Sequence, residues 1–243
     1  MLAGDALRLM AALPFAPLAT ILGGRRPPLV LAPHPDDESL GCGGLIAEAC
    51  AQGIVPYVLV LTDGTGSHPG TRAYPAPRLA ALRAAEARAA VAALGLAPAR
   101  IGFLGLQDTA APRTGEVFEA ATAAVVATLR DQGCGVLLGP WRHDPHGDHE
   151  AAHEIAAIAA RRAGVRLLSY PVWGWTLRPG TPLDGPAPRG YRLDIARHLA
   201  AKRRAIAAHA SQHGAVVTDD PGGFVLPPDL LAVFDRPFET FLA

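Results

Sequence analysis

The sequence predicts an α/β protein, a Rossmann-like three-layer sandwich in which helices cover both faces of a mostly parallel sheet. Short apolar runs typical of buried strands alternate with longer segments typical of helices. The alternation continues without a domain-sized change in composition. At 243 residues the chain can form one large core, so residues 1–243 are predicted to be a single domain.

The first half of the chain begins this alternation. Residues 28–32 form a short apolar run bounded by prolines, and residues 55–61 form a second, both typical of buried parallel strands. Helices are predicted over 43–52 and over the alanine-rich 78–94, because each segment is followed by a glycine. Residues 64–77, rich in Gly, Pro, Ser and Thr, are predicted to form a loop at a strand's carboxyl end.

The second half repeats the pattern. Two strands, 101–104 and 135–138, flank a helix predicted over about 116–130. A further helix over roughly 148–163 leads to a strand at 165–170. Because each strand is followed by a helix, the strands are expected to lie parallel in one sheet.

The ends of the chain differ from this pattern. Residues 195–208 are the last predicted helix, and the Pro- and Gly-rich residues 178–190 are predicted as a loop or lid near the site. Residues 1–27 start with an apolar stretch that Pro14 and Pro17 interrupt. Since no small-x-small cleavage site follows, we expect a helical extension packed on the domain rather than a signal peptide.

Composition excludes several classes of protein. Lys plus Arg and Asp plus Glu number 22 each, so no basic surface for nucleic acid is expected. No apolar run approaches the ~20 residues that span a membrane. A neutral or weakly charged small molecule is therefore the predicted substrate. Three cysteines without a CxxC pair predict a reducing, cytoplasmic location. No feature predicts an oligomeric state.

The first chemical motif directly follows the strand predicted at 28–32. Residues 34–38 read His-Pro-Asp-Asp-Glu, so one imidazole and two adjacent carboxylates share a turn. In parallel α/β sheets, ligands bind at the carboxyl ends of strands. An acidic turn that only caps the next helix would explain the aspartates but not the histidine. The turn is therefore predicted to belong to a functional site.

A second cluster follows the strand predicted at 135–138. Residues 143–149 read His-Asp-Pro-His-Gly-Asp-His, which places three histidines and two aspartates within seven residues. Zinc prefers histidine and carboxylate ligands, and a catalytic zinc keeps one coordination position open for water. One His and one Asp from the first turn with one His from the second cluster would supply three ligands. The remaining groups would serve proton transfer and charge stabilisation.

The two motifs resemble those of the LmbE-like or PIG-L deacetylases, which carry an (A)HPDDE motif early and an HxDH motif later. Residues 32–38 read APHPDDE, with Pro33 as an insertion, and residues 146–149 read HGDH. Weaker similarities occur at Arg83-x-x-Glu86, at 103–108 and at Lys202 with 209–212. The resemblance covers the chain from about residue 28 to residue 215.

The resemblance implies a zinc-dependent hydrolase that removes an acetyl or other acyl group from the nitrogen of an N-acetylglucosamine-type amino sugar. It implies three metal ligands, His34, Asp37 and His149. Another divalent metal such as Fe²⁺ is compatible with this set. Asp36 would be the general base that takes a proton from the attacking water. A protonated His146 would stabilise the oxyanion, and Asp148 would orient His146 and keep it charged.

Three residues beside the motifs are expected to contact substrate, namely Asp108, Arg72 and His143. Each has an alternative role: Asp108 would cap a helix, Arg72 would be solvated in its loop, and His143 would support a metal ligand. The tryptophans at 141, 173 and 175 would lie in the core or stack on a sugar ring.

Two other functions stay open at this point. Residues 149–153 read His-Glu-Ala-Ala-His and match HExxH, the zinc metalloprotease signature in which the glutamate is the base. No clear third ligand follows on that helix, and this interpretation leaves the turn at 34–38 unexplained. A relative that binds a sugar or metal without turnover would use the same pocket, although every proposed catalytic position holds the expected residue type.

Overall fold

A computed structural model describes residues 1–243, and a seven-stranded sheet forms its centre. The strands are β1 (Pro28–Ala32), β2 (Tyr57–Thr62), β3 (Ile101–Leu106), β4 (Val136–Pro140), β5 (Arg166–Tyr170), β6 (Gly190–Asp194) and β7 (Phe238–Leu242). Their spatial order is β3-β2-β1-β4-β5-β7-β6. Strands β1 to β5 are parallel, and β7 runs antiparallel to both of its neighbours. The predicted mostly parallel sheet is confirmed.

Helices cover both faces of this sheet. They are α1 (Ala3–Ala12), α2 (Leu18–Leu22), α3 (Asp37–Ala51), α4 (Ala76–Ala93), α5 (Gly115–Asp131), α6 (Gly147–Ala163), α7 (Leu199–Ala208) and α8 (Pro228–Phe234). Leu29 and Leu31 of β1 pack with α5 and α6, whereas Val30 and Ala32 pack with α3, α4 and α7. Because side chains alternate across a strand, β1 is buried on both faces, as a three-layer α/β fold requires.

Helix α3 begins at Asp37, six residues before the predicted start at 43. Gly41 and Gly44 lie inside the helix, where they permit close packing. A Cβ atom on Gly41 would overlap the ring of Tyr170, and one on Gly44 would overlap Ile195. The early start carries the acidic motif directly into the first helical turn.

The N-terminal residues form two helices where one was expected. Pro14 and Pro17 lie between them, since proline lacks an N–H group and disfavours helix at the residue before it. The linker pairs with β6 instead: the Ala16 N–H donates to the Arg192 carbonyl, and the Arg192 N–H donates to the Pro14 carbonyl, both at 2.9 Å. No helix in the structure is long and apolar enough to cross a membrane.

The segment 178–190 packs against the N-terminus. The Ala3 N–H donates to the Thr181 carbonyl, and the Leu183 N–H donates to the Met1 carbonyl, both at 2.8 Å. None of the residues that line the cavity at the metal-binding motifs comes from this segment. The segment therefore does not line this cavity.

Candidate metal centre

The two histidine-containing motifs meet at the carboxyl edge of the sheet because β1 and β4 are adjacent and parallel. Asp37 Oδ2 lies between two imidazoles, 3.2 Å from His34 Nδ1 and 3.3 Å from His149 Nε2. All three residues are buried. The three ligands implied by the motifs are therefore brought together.

Each of these two histidines has its second ring nitrogen against another carboxylate. His34 Nε2 lies 3.0 Å from Asp148 Oδ2 and 3.2 Å from Asp108 Oδ1. His149 Nδ1 lies 2.9 Å from Asp144 Oδ2. Metal-ligating histidines usually donate their other N–H group to such a partner, which fixes the orientation of the ring.

One buried atom without a hydrogen-bond partner indicates whether a metal fits at this group. His149 Nε2 is buried and has no hydrogen-bond partner, a rare state for a buried polar atom. Burial lowers the pKa of His149, but the charges of Asp37 and Asp144 and the hydrogen bond to Asp144 raise it to about 9. The same carboxylates would stabilise a cation in place of the proton. The donor set therefore fits a divalent metal.

Two further sets of donor atoms lie within 4.8 Å of one another, His34 with His146 and His149, and His34 with Asp108 and Asp148. The second set uses the Nε2 side of His34 and leaves His149 Nε2 without a partner. With a metal held by His34, Asp37 and His149, all four ring nitrogens of these two histidines would have a partner, which the second set does not provide.

Asp36 lines the cavity beside Asp37 and is held by an arginine. The buried Arg83 donates from Nη2 to Asp36 Oδ2 at 2.9 Å and from Nη1 to the Gly64 carbonyl at 2.8 Å. Gly64 has a φ of +70°, and a Cβ atom there would lie 2.6 Å from Arg83 Nη1. Burial raises the pKa of Asp36 and the Arg83 charge lowers it, with a result of about 6.

The expectation that Asp148 orients His146 and keeps it charged is wrong. The Asp148 carboxylate faces His34 and accepts the N–H groups of Thr109 and Ala111. The His146 ring instead accepts the Asp148 backbone N–H at Nδ1, at 3.2 Å. Burial lowers the pKa of His146, and the neighbouring His34 lowers it further. The structure thus favours a neutral His146.

Of the three expected substrate contacts, only Asp108 lines the cavity. Its Oδ2 accepts the Gly66 N–H at 2.8 Å, and its Oδ1 lies near His34. Arg72 is exposed outside the cavity, and His143 packs against Trp141 in a separate surface groove. Neither Arg72 nor His143 lines this pocket.

Thr109, which also lines the cavity, has the only left-handed backbone conformation outside glycine, with a φ of +67°. This conformation costs a residue with a Cβ atom about 1–2 kcal/mol. It allows the Thr109 N–H to donate to Asp148 Oδ2 at 2.7 Å. Backbone strain of this kind is concentrated at functional sites.

The HExxH alternative is wrong. His153 Nδ1 lies 3.0 Å from the Pro140 carbonyl, and His153 lines a different surface groove. Glu150 pairs with Arg113, and its side chain is 42% exposed. Only His149 of the three signature residues contacts the metal-binding group.

The sequence did not reveal the residues that support these groups. Arg83 and Glu86 lie one turn apart on α4. Arg83 donates a hydrogen bond to Asp36. Glu86 accepts hydrogen bonds from the N–H group and the hydroxyl of Ser211. Gln212, which follows Ser211, lines the cavity. The sequence signal for these residues was the weak similarity to the family at 83–86 and 209–212. These two segments contact each other through Glu86 and Ser211.

The cavity at these groups has a volume of about 330 Å³. It is lined by His34, Asp36, Asp37, Leu40, Gly66, Ser67, Arg83, Asp108, Thr109, Pro145, His146, Trp173, Gln212, Phe224 and Leu226. A histidine and aspartate group in a pocket at the carboxyl ends of two neighbouring parallel strands defines a metal-binding α/β enzyme.

A family model described as "PIG-L: GlcNAc-PI de-N-acetylase" matches residues 29–160. The chain belongs to this family, and it is an amide hydrolase, as the motifs predicted.

Relatives extend the match beyond the motifs. The 1D-myo-inositol 2-acetamido-2-deoxy-alpha-D-glucopyranoside deacetylase of Rhodococcus opacus is 31% identical over 251 residues, covering 80% of this chain and 83% of the relative. The diacetylchitobiose deacetylase of Thermococcus kodakarensis is 30% identical over 192 residues, covering 76% and 69%. The crystal structure of a conserved protein from Thermus thermophilus has a TM-score of 0.64 at 27% identity, covering 89% and 93%.

Proposed function

We propose that this protein is a zinc-dependent N-deacetylase of N-acetylglucosamine-type amino sugars or their conjugates. The observation that carries the proposal is the position of Asp37 Oδ2 between two imidazoles, each oriented by a further carboxylate. The names of two relatives describe deacetylation of a 2-acetamido-2-deoxyglucopyranoside and of diacetylchitobiose. Both names support an N-acetylated glucosamine compound as the substrate.

His34, Asp37 and His149 would hold the metal. When bound, zinc supplies a Lewis acid for the amide carbonyl and for water. Fe²⁺ is compatible with the same donors. Asp108, Asp148 and Asp144 hold the two imidazoles in the orientation that the metal needs.

Asp36 is the proposed general base. It lines the cavity next to a metal ligand, and Arg83 holds one of its oxygens in place. A pKa of about 6 suits a group that takes a proton from the attacking water and returns it to the leaving amine near neutral pH.

His146 is the proposed oxyanion donor, but as a neutral ring. Since Nδ1 accepts the Asp148 N–H, the proton of the neutral imidazole lies on Nε2. That N–H group would stabilise negative charge on the amide oxygen. Asp108, which lines the same cavity, is proposed to accept a hydrogen bond from a substrate hydroxyl.

The decisive experiment measures metal-dependent release of free amine from N-acetylated amino sugars. We expect Asp36→Asn to lower kcat by about 10²–10⁴-fold, because it removes the general base. Glu150→Gln is the matched control, since Glu150 is exposed and pairs with Arg113. Metal content is measured in both variants. Loss of activity in Glu150→Gln with activity retained in Asp36→Asn would contradict the proposed roles.

A cytoplasmic location stays a prediction. It is supported by the three free cysteines Cys42, Cys50 and Cys134, two of which are buried. Fractionation of cells that express the protein would test it.

A further inference from the structure

The cavity has an apolar wall whose function the proposed reaction does not explain. The wall consists of Leu40, Trp173, Phe224 and Leu226. Leu40 lies in the first turn of α3, three residues after Asp37, so both side chains project from the same side of the helix. The wall therefore begins directly beside a proposed metal ligand.

Trp173 is linked to the metal-binding group by a single carboxylate. Asp144 Oδ2 lies 2.9 Å from His149 Nδ1 and also accepts the Trp173 N–H at 3.2 Å. The Trp173 ring packs edge to face on Phe224, with 5.8 Å between the ring centroids. The position of the aromatic part of the wall is thus fixed relative to His149.

The remaining part of the wall lies on the irregular segment 214–227. The Phe224 N–H donates to the Ser67 carbonyl at 2.7 Å, and the Leu226 N–H donates to the Gln212 carbonyl at 2.8 Å. Ser67 and Gln212 line the cavity themselves. Two backbone hydrogen bonds therefore hold this segment against the pocket.

The two halves of an N-acyl amino sugar differ in chemistry. The sugar carries hydroxyls, which lose hydrogen bonds to water if they are buried against Phe224 and Leu226. The acyl group beyond its carbonyl is hydrocarbon and gains from burial there. Hydrogen-bonding partners for hydroxyls lie elsewhere in the cavity, on Ser67, Asp108 and Thr109.

On the basis of the proposed function, we infer that the apolar wall is an acyl-chain subsite, and that the protein hydrolyses N-propionyl and N-butyryl amino sugars at least as well as N-acetyl ones. The cavity volume of about 330 Å³ lies at the low end of ligand sites. The subsite is therefore expected to exclude chains much longer than butyryl.

The test is kcat/KM for N-acetyl-, N-propionyl-, N-butyryl- and N-octanoylglucosamine, measured by amine release. We expect an increase of up to about fourfold for each added methylene to butyryl, followed by a decrease at octanoyl. Leu226→Ala should move the optimum to a longer chain. Val225→Ala is the matched control, because Val225 is adjacent and 46% exposed.

Two further measurements separate the effect on acyl-chain binding from effects on folding and on turnover. Phe224→Leu alters the wall with a smaller loss of packing, and thermal unfolding shows whether each variant is folded. Calorimetry on the Asp36→Asn variant gives the Kd of N-acetyl- and N-butyrylglucosamine without hydrolysis. The subsite would be supported if the butyryl compound binds more tightly than the acetyl compound. The difference between the two Kd values should then be smaller in a second variant that adds Phe224→Leu.

Several outcomes would overturn the inference. One is a wild type that prefers acetyl to propionyl, and another is a chain-length profile that Leu226→Ala and Phe224→Leu leave unchanged. A third is that these wall variants change the preference between glucosamine and galactosamine but leave the acyl preference unaltered. That result would place the sugar on the wall. Absence of amine release by the wild type would instead contradict the proposed function, while the binding data would still report chain preference.

Discussion

At the residue scale, the site is built around His34 and His149, each of which has carboxylates against both ring nitrogens. One nitrogen of His34 and one of His149 face Asp37, and the opposite nitrogens face Asp148 and Asp144. Asp144 also accepts the N–H groups of three residues after β5. A carboxylate that does not line the cavity thus orients the ring of His149, a proposed metal ligand.

Asp144→Asn should weaken zinc binding by about 10–100-fold, because an amide is a poorer partner for the His149 N–H than a carboxylate. The measurement is a competition titration with a chromophoric chelator. Asp184→Asn is the control, since Asp184 is 77% exposed and lies outside the cavity. Equal zinc affinities for the two variants would show that Asp144 does not support the metal site.

At the element scale, α3 contains glycines where neighbouring residues pack too closely to leave room for a side chain. Gly41 contacts the Tyr170 ring and Gly44 contacts Ile195. Tyr170 in turn donates a hydrogen bond from its hydroxyl to the Leu31 carbonyl at 2.8 Å. Close approach of α3 to the sheet places its first turn, with Asp37, at the site.

Gly41→Ala should lower the free energy of unfolding by about 1–3 kcal/mol, because the new methyl group overlaps a buried ring. Urea unfolding measures the change. The control is Gly147→Ala in the first turn of α6, where a Cβ atom meets nothing within 4 Å. That variant should stay within about 1 kcal/mol of the wild type. An equal effect of both substitutions would show that the overlap with Tyr170 does not control stability, because helix propensity by itself favours alanine over glycine.

Loops 64–75 and 214–227 are joined by Asp219. The Thr71 hydroxyl and the Ala73 and Arg72 N–H groups donate to its carboxylate and lower its pKa from 3.8 to about 2. A depressed pKa stabilises the folded state above pH 4, and this contribution is lost as the pH falls towards 2. The difference in urea midpoint between wild type and Asp219→Asn should therefore shrink from pH 7 to pH 3. A difference that does not change with pH would contradict this linkage.

At the scale of the whole molecule, the last strand is hydrogen-bonded to the helix that carries the proposed metal-binding turn. Glu239 on β7 accepts the N–H groups of Gly44 and Leu45 within α3, at 2.7 and 2.8 Å. It also pairs with the buried Lys202 of α7 at 2.6 Å. Residues nearly 200 positions apart in the chain thus form one buried polar group.

Lys202→Met should lower the free energy of unfolding by about 3–5 kcal/mol, because it leaves the Glu239 charge buried without its partner. The double variant with Glu239→Gln should recover part of this loss. Arg203→Met is the control, since its pair with Asp235 is exposed and screened by solvent, so little stability should be lost. Chemical denaturation of the four proteins measures both effects, and equal losses at 202 and 203 would contradict the argument.

Sequence reasoning predicted the five parallel strands because each is a short apolar run, as at 28–32, where all five residues are buried. It missed β6, α8 and β7. Strand β7 carries the buried polar residues Glu239 and Thr240, and Glu239 is paired with groups on α3 and α7, so no local hydrophobic pattern marks the strand. The predicted helix began at 43, six residues late, because the acidic turn and the glycines at 41, 43 and 44 show no apolar periodicity that marks the first turns of α3.

The sequence by itself determined the family of the protein and the identity of the residues at its proposed metal site, since the HPDDE and HGDH motifs are each contiguous and each follows a strand. Only the tertiary structure decided which groups support them. Arg83, Asp144 and the wall around Trp173 reach the site from separate elements. Contacts between elements leave no periodic pattern in the chain, because they depend on the spatial order of the strands. For the same reason the direction of Asp148, towards His34 and away from His146, could be read only from the folded molecule.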